Sequence, residues 1–239
     1  MKKLSLVIPV YNEGQRIPKN IGNIFSFLKT FPAMTEVIFV NDGSTDNTEE
    51  VLKNYKSQFD FKIVGYPKNR GKGYAVRQGV FACEGEWIVF FDIDLATPIT
   101  ELSKLLPFLG SDEKIIIGNR NLEKSLINKK ESPIRIFLGS GFTLVSRIFV
   151  PTVTDFTCGF KCFRGDVAKK LFSLAKIDRW SFDTEILFLA RLYSYPIKQI
   201  PISWKHDDDS RVRVLRDVIS SGKELLVIAK NFLTSVYRD

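Results

Sequence analysis

The chain has 239 residues, of which 44% are hydrophobic, 26% charged and 13% aromatic, a globular composition that excludes disorder, collagen and coiled coil. Three Cys and a single His rule out a disulfide scaffold and leave too little for a zinc site, and Cys158 and Cys162 read as packing residues. The formal net charge of +8 favours anionic partners, meaning nucleotides, lipid headgroups or nucleic acid.

The first apolar run, Leu4–Val10, has strand length. It is too short for a signal peptide, and Glu13 and Arg16 follow it closely. No window holds the ~18–20 uncharged apolar residues of a membrane span, so an intracellular chain is expected. Ile21, Ile24, Phe25 and Leu28 recur at helical spacing. Val37–Val40 is the second strand, and Asp46 to Glu49 opens the second helix with acidic residues in its first turn. Phe61–Val64 is a third strand, Gly73–Cys83 a third helix, Trp87–Phe91 a fourth strand and Ile115–Ile117 a fifth. Runs that are apolar on both faces suit a sheet covered on both sides. The alternation predicts an α/β, doubly wound, Rossmann-like sheet flanked by helices, with ligands at the carboxyl ends of the strands.

The second half is less regular. Lys124–Ser132 reads as a polar loop, and Asp155–Phe163 as loop or short strand. Asp183–Tyr193 has helical periodicity, and Ile197–Trp204 is strand-like. Ile134–Val150 is mostly apolar. Val212–Val236 is amphipathic, with Leu215, Val218, Ile219, Leu226, Ala229, Leu233 and Val236 on one stripe. Residues 114–150 carry seven basic residues against two acidic ones, which fits interfacial helices in a headgroup layer. The alternative is that both helices pack on the body of the protein. The expected division is one domain over 1–239, with a first part (1–118), a second part (119–210) and a C-terminal amphipathic helix (211–239).

Polar clusters close three of the early strands: Pro9 to Glu13, Asn41 to Ser44, and Asp92-Ile93-Asp94. Two carboxylates one residue apart after a buried strand are costly unless paired with a cation. Hard oxygen ligands suit Mg²⁺ or Mn²⁺ held against a diphosphate; the plainer reading is a turn with two solvated Asp. Asp42 is either an ordinary Asp-Gly turn residue or an acceptor for a nucleobase N–H. Arg70-Gly71-Lys72-Gly73 lacks the Walker spacing, yet its glycines allow close backbone approach and Lys72 can meet a phosphate.

Taken together, Val7 to Glu13, Asn41-Asp42-Gly43-Ser44-x-Asp46, Asn69 to Gly73 and Asp92-x-Asp94 resemble an inverting family 2 glycosyltransferase of the GT-A fold. Asp155 to Phe163 and Arg179-Trp180-Ser-Phe182-Asp183-x-Glu185 resemble the dolichyl-phosphate β-glucosyltransferases, with dolichyl-phosphate mannose synthases more distant. The resemblance covers about residues 4–205. It implies transfer of a hexose, best taken as glucose from UDP-glucose, onto a polyprenyl or dolichyl phosphate at the cytoplasmic face of a membrane. On that pattern Pro9, Tyr11, Glu13, Asp42, Lys72 and Asp92 serve the donor, and Asp92 and Asp94 the metal. Arg120, Arg135 and Ser140 serve the acceptor, with the isoprenoid tail along Phe137, Phe142 and Phe149. Asp94, Asp155 and Asp183 are the catalytic candidates, Asp155 and Asp183 also as a base if the acceptor is a hydroxyl. Glu185 and Trp180 are further candidates for contact with the sugar. Ala96 stands where mannose synthases often carry a third ligand. GDP-mannose as donor, a hydroxyl acceptor, and a non-catalytic nucleotide- or nucleic-acid-binding module are the rival readings, and no nucleic-acid motif supports the last.

Overall fold

In a computed structural model, residues 3–123, 125–127, 133–205 and 214–238 are described. Strands β1 (Lys3–Val10), β2 (Met34–Asp42), β3 (Lys62–Tyr66), β4 (Trp87–Phe90), β5 (Ile115–Asn119), β7 (Lys161–Arg164) and β8 (Ile197–Pro201) form one seven-stranded sheet in the order β3-β2-β1-β4-β7-β5-β8. Strands β1 to β4 run parallel, and β5 runs parallel with β8. Strand β7 is antiparallel to both β4 and β5 and joins the two halves of the chain. Strands β6 (Leu126–Ile127) and β9 (Ser203–Trp204) form a separate parallel pair.

Side chains alternate between faces along each strand. Leu6 and Ile8 of β1 join Ile17, Ile21 and Ile24 of α1 (Ile17–Leu28) and Leu52 of α2 (Thr48–Tyr55) in one core. Val7 faces the opposite core, with α3 (Lys72–Ala82), α5 (Gly165–Leu174), α6 (Phe182–Leu192) and part of α7 (Val214–Leu233). Among the described residues three elements escape the sequence reading: α5, the 3₁₀ helix at Ile99–Leu105, which follows the β4 end, and the short strand β6. The polar loop expected at Lys124–Ser132 contains the short strand β6; most of that segment, with His206 to Asp209, lies outside the described residues.

Helix α4 (Pro133–Phe149) packs on α6 and α7. Phe149 meets the Phe188 ring edge-on, and Ser146 shares a hydrogen bond with Thr184. Phe142 also turns inward. The tail track along Phe142 and Phe149 is therefore corrected: these half-buried rings pack against the core, Leu144, Val145 and Ile148 point outward instead, and the Phe137 side chain lies outside the described residues. The α7 stripe lies outward where its side chains are described: Leu226, Leu233 and Val236 are exposed, while Leu225, Ile228 and the following Tyr237 are buried. Among the described residues, no helix is long and apolar enough to cross a membrane.

Candidate active site

The parallel strands β1, β2 and β4 end side by side, which brings their polar clusters to one rim. At the β1 end, Asn12 adopts φ 55°, and its side-chain oxygen accepts the Thr45 N–H at 2.7 Å, clamping the β1 and β2 turns together. A non-glycine residue in this region is uncommon and is held by its surroundings. Glu13 is buried beside Arg16, whose Nη1 reaches both carboxylate oxygens at 2.8 Å. Tyr11 is exposed and Pro9 half-buried.

Asp42 is buried at the β2 end. It accepts four hydrogen bonds: from the Tyr66 hydroxyl (2.8 Å), Asn69 Nδ2 (2.7 Å) and the backbone N–H groups of Arg70 (2.8 Å) and Gly71 (2.9 Å). Four is about the capacity of a carboxylate. Asp42 thus organises the loop into α3, and a nucleobase N–H reaching it must share or displace one of these donors. Gly71 is required here. Its φ is 110°, and a Cβ would lie 2.7 Å from the Asp178 carbonyl oxygen.

That loop delivers Lys72, the first residue of α3, to the β4 end, where its Nζ lies 2.6 Å from Asp92 Oδ1. Burial alone would depress the Lys72 ammonium, but Asp92, Asp183 and Asp94 outweigh it and hold it above its ordinary value. Burial, then the Asp92 charge, pushes the Asp94 carboxyl up; its Oδ1 accepts the Ala96 N–H at 3.0 Å. Leu95, with φ 52°, makes the turn that places both carboxylates half-buried on this rim. Gly159 lies directly against Asp92: a Cβ there would fall 2.0 Å from Oδ2.

Asp183 enters the same cluster from the first turn of α6. Burial raises its carboxyl, Asp92 adds to the rise, and Lys161 and Lys72 oppose it. Its Oδ1 accepts a hydrogen bond from Lys161 Nζ at 2.5 Å. Asp155 is buried and engaged elsewhere. Arg120 donates to it from Nε (2.8 Å), Nη2 (2.7 Å) and its backbone N–H (2.9 Å). Burial would raise the Asp155 carboxyl, but Arg120 holds it below the usual carboxylate range. The carboxylate put forward as a base is, in this arrangement, the anchor of Arg120. The Arg120 guanidinium also donates to Thr157 Oγ1 (2.8 Å) and lies 5.3 Å from the Trp204 ring centroid.

Glu185 turns away from the rim. It accepts the Lys176 and Ile177 N–H groups and the Tyr237 hydroxyl, and burial raises its carboxyl. Trp180 is 40% exposed in the loop before α6 and is not a core residue. Ser140 is exposed on α4, and Arg135 lies in α4 with its side chain outside the described residues. All three cysteines are buried and unpaired; burial pushes the Cys158 thiol up to about 11, consistent with packing.

Sequence reasoning missed Lys161, Gly159 and Trp204 as parts of this assembly. A lysine opening an apolar run, Lys161-Cys162-Phe163, is the only local signal. Among the described residues, no group of three or more His, Cys, Asp or Glu side chains converges on one point. Asp92 and Asp94 are nonetheless a suitable donor pair for a divalent ion. They supply hard oxygens, and burial together with the Asp92 charge raises the Asp94 carboxyl, a charge excess that a divalent ion is suited to offset.

A family model described as glycosyl transferase family 2 matches residues 5–172. The chain is 36% identical to the human dolichyl-phosphate β-glucosyltransferase, over 99% of its own length and 78% of the relative's. It is 37% identical to the Saccharomyces cerevisiae protein of the same name, over 99% and 77%. Among solved structures, glucosyl-3-phosphoglycerate synthase from Mycobacterium tuberculosis, bound to Mn²⁺, UDP and glucosyl-3-phosphoglycerate, superposes with a TM-score of 0.70 at 18% identity. That superposition covers 95% of this chain and 78% of the other, and the shared architecture is the GT-A fold.

Proposed function

This chain belongs to glycosyltransferase family 2 and is a glycosyltransferase, and from that premise we propose that it moves glucose from UDP-glucose onto a polyprenyl or dolichyl phosphate, with inversion. Full-length similarity to dolichyl-phosphate β-glucosyltransferases supports the substrate class. The observation that carries the reading is the charge cluster at the β4 end: Asp92, Asp94, Lys72 and Asp183.

Asp92 and Asp94 would hold Mg²⁺ or Mn²⁺, and the ion supplies charge neutralisation for the departing diphosphate. Lys72 is a second cation within reach of the same phosphate oxygens. Pro9, Tyr11, Glu13 and Asp42 line the rim where the nucleoside lies. Asp183 faces the sugar and orients its hydroxyls. A phosphate monoester is already an anion near neutral pH, so it can attack the anomeric carbon without a base. Asp155 in particular is ill suited to serve as a base. A general base works best with a pKa near the working pH, and Arg120 holds Asp155 low. Arg120, fixed edge-on by Asp155, is the proposed grip on the acceptor phosphate, with Arg135 and Ser140 on the neighbouring helix.

The acceptor arrives from a lipid surface, and α4 and α7 face it. Leu144 (69% exposed), Ile148 (73%), Leu226 (72%) and Leu233 (80%) form outward apolar positions on the two packed helices. Exposed Arg147, Lys223 and Lys230 share these helices, Arg238 follows α7, and all four match anionic headgroups. The side proposed is the cytoplasmic face of the membrane. The test is incubation of the purified chain with radiolabelled UDP-glucose, Mn²⁺ and polyprenyl phosphate. Label in the organic phase is expected. Label confined to water-soluble product, or a preference for GDP-mannose in a donor panel, overturns the respective half of the proposal.

A further inference from the structure

Lys161 is the first residue of the antiparallel strand β7, between Phe90 of β4 and Ile117 of β5, and none of its side chain meets solvent. A buried ammonium persists only where its donors are satisfied and its charge is paired. Here all three donors are used: on the Phe156 carbonyl (2.8 Å), the Cys158 carbonyl (2.6 Å) and Asp183 Oδ1 (2.5 Å). The two carbonyls belong to the loop that carries Asp155, the anchor of Arg120, and Gly159, whose backbone abuts Asp92. The carboxylate belongs to α6. One ammonium therefore ties the Arg120 side of the site, the Asp92 side and Asp183 to a single point in the middle of the sheet.

We infer that Lys161 is a positioning residue for transfer: it fixes the orientation of Asp183 and the seating of the 155–160 loop against Asp92, without touching either substrate. The inference rests on the placement of Asp183 at the sugar proposed above. Contacts made only in the transition state lower kcat when misplaced, whereas nucleoside contacts at the β1 and β2 ends set donor affinity. Loss of Lys161 should therefore reduce kcat and leave donor KM alone.

The test is a double-mutant cycle on the full chain with Lys161→Met, Asp183→Asn and the pair, measuring kcat, KM for UDP-glucose and Tm. Lys161→Gln is the second variant, because its amide still donates to the loop carbonyls and spares the fold if Lys161→Met does not. Both Lys161 variants should lose about a hundredfold in kcat with little change in KM. The double variant should be no slower than Asp183→Asn by more than about threefold, because the two residues act as one unit. Multiplicative losses in the double variant, or normal kcat in Lys161→Gln while Asp183→Asn is slow, overturn the inference alone. Normal kcat in Asp183→Asn removes Asp183 from the site and overturns both.

Discussion

At the end of β4, Asp92 and Asp94 stand half-buried on a rim with Lys72 beside them, whereas the carboxylates Asp155, Asp183 and Glu185 are buried, Asp183 meeting the rim cluster from the inner side. The partners differ as much as the burial. Asp155 pairs with Arg120 at a separation of 35 residues, Asp183 with Lys161 at 22 and Glu185 with Tyr237 at 52. The rim carboxylates are the ones proposed to meet an ion and a substrate. The buried ones are compensated in place by partners from distant parts of the chain. A charge on the rim is available for chemistry, and a charge in the interior is available for alignment.

The sharpest way to break this comparison is Asp94→Asn. Transfer should fall about a thousandfold, as expected when charge stabilisation of a leaving group is lost. Stability should not fall, because burial and the Asp92 charge already disfavour an ionised Asp94. The Mn²⁺-dependent rise in Tm should vanish in the same variant. Retained transfer in excess chelator would remove the metal role.

Arg120→Ala probes a sealed carboxylate. It leaves Asp155 buried without its guanidinium, at a cost of about 3 kcal/mol, or about 6–12 °C in Tm. The sign with pH follows from the depressed Asp155 value. The stabilisation is present above the ordinary carboxylate range near pH ~4 and is lost as pH falls through the lower folded value. The Tm gap between wild type and variant should therefore be full at neutral pH and close in acid. A gap that stays constant across that range contradicts the ion-pair account.

The outer faces of α4 and α7 sharpen the comparison from another side, since they are apolar and open. Leu226→Glu with Leu233→Glu should weaken binding to anionic phospholipid vesicles at least about tenfold, from two leucines kept in water. Tm should be unchanged, because both side chains are already exposed. Unaltered vesicle binding would reassign this face.

The smallest effect expected is that of Tyr237→Phe. Its hydroxyl donates to buried Glu185, so its removal should cost about 1 kcal/mol of stability and leave kcat untouched. A fall in kcat without a fall in Tm would bring Glu185 back to the site.

The parallel half was legible in the local residue pattern. Strands β1, β2 and β4 hold continuous apolar runs, and their polar endings Glu13, Asp42, Asp92 and Asp94 follow closely in the chain, so period and punctuation were enough. It also placed α4, α6 and α7, but not which face of α7 turns inward. The stripe through Leu226 and Leu233 reads as a face for a lipid surface or for the body of the protein, and the burial of Leu225, Ile228 and Tyr237 against α6 is what leaves it outward. The antiparallel insertion of β7 is visible only in the folded chain, because a four-residue strand between two others is recognised by its partners and not by its own period. For the same reason the lysine that opens Lys161-Cys162-Phe163 gives no sign of its partners. Whether a charge is solvated or sealed depends on residues brought close from far along the chain, and local spacing carries no record of them.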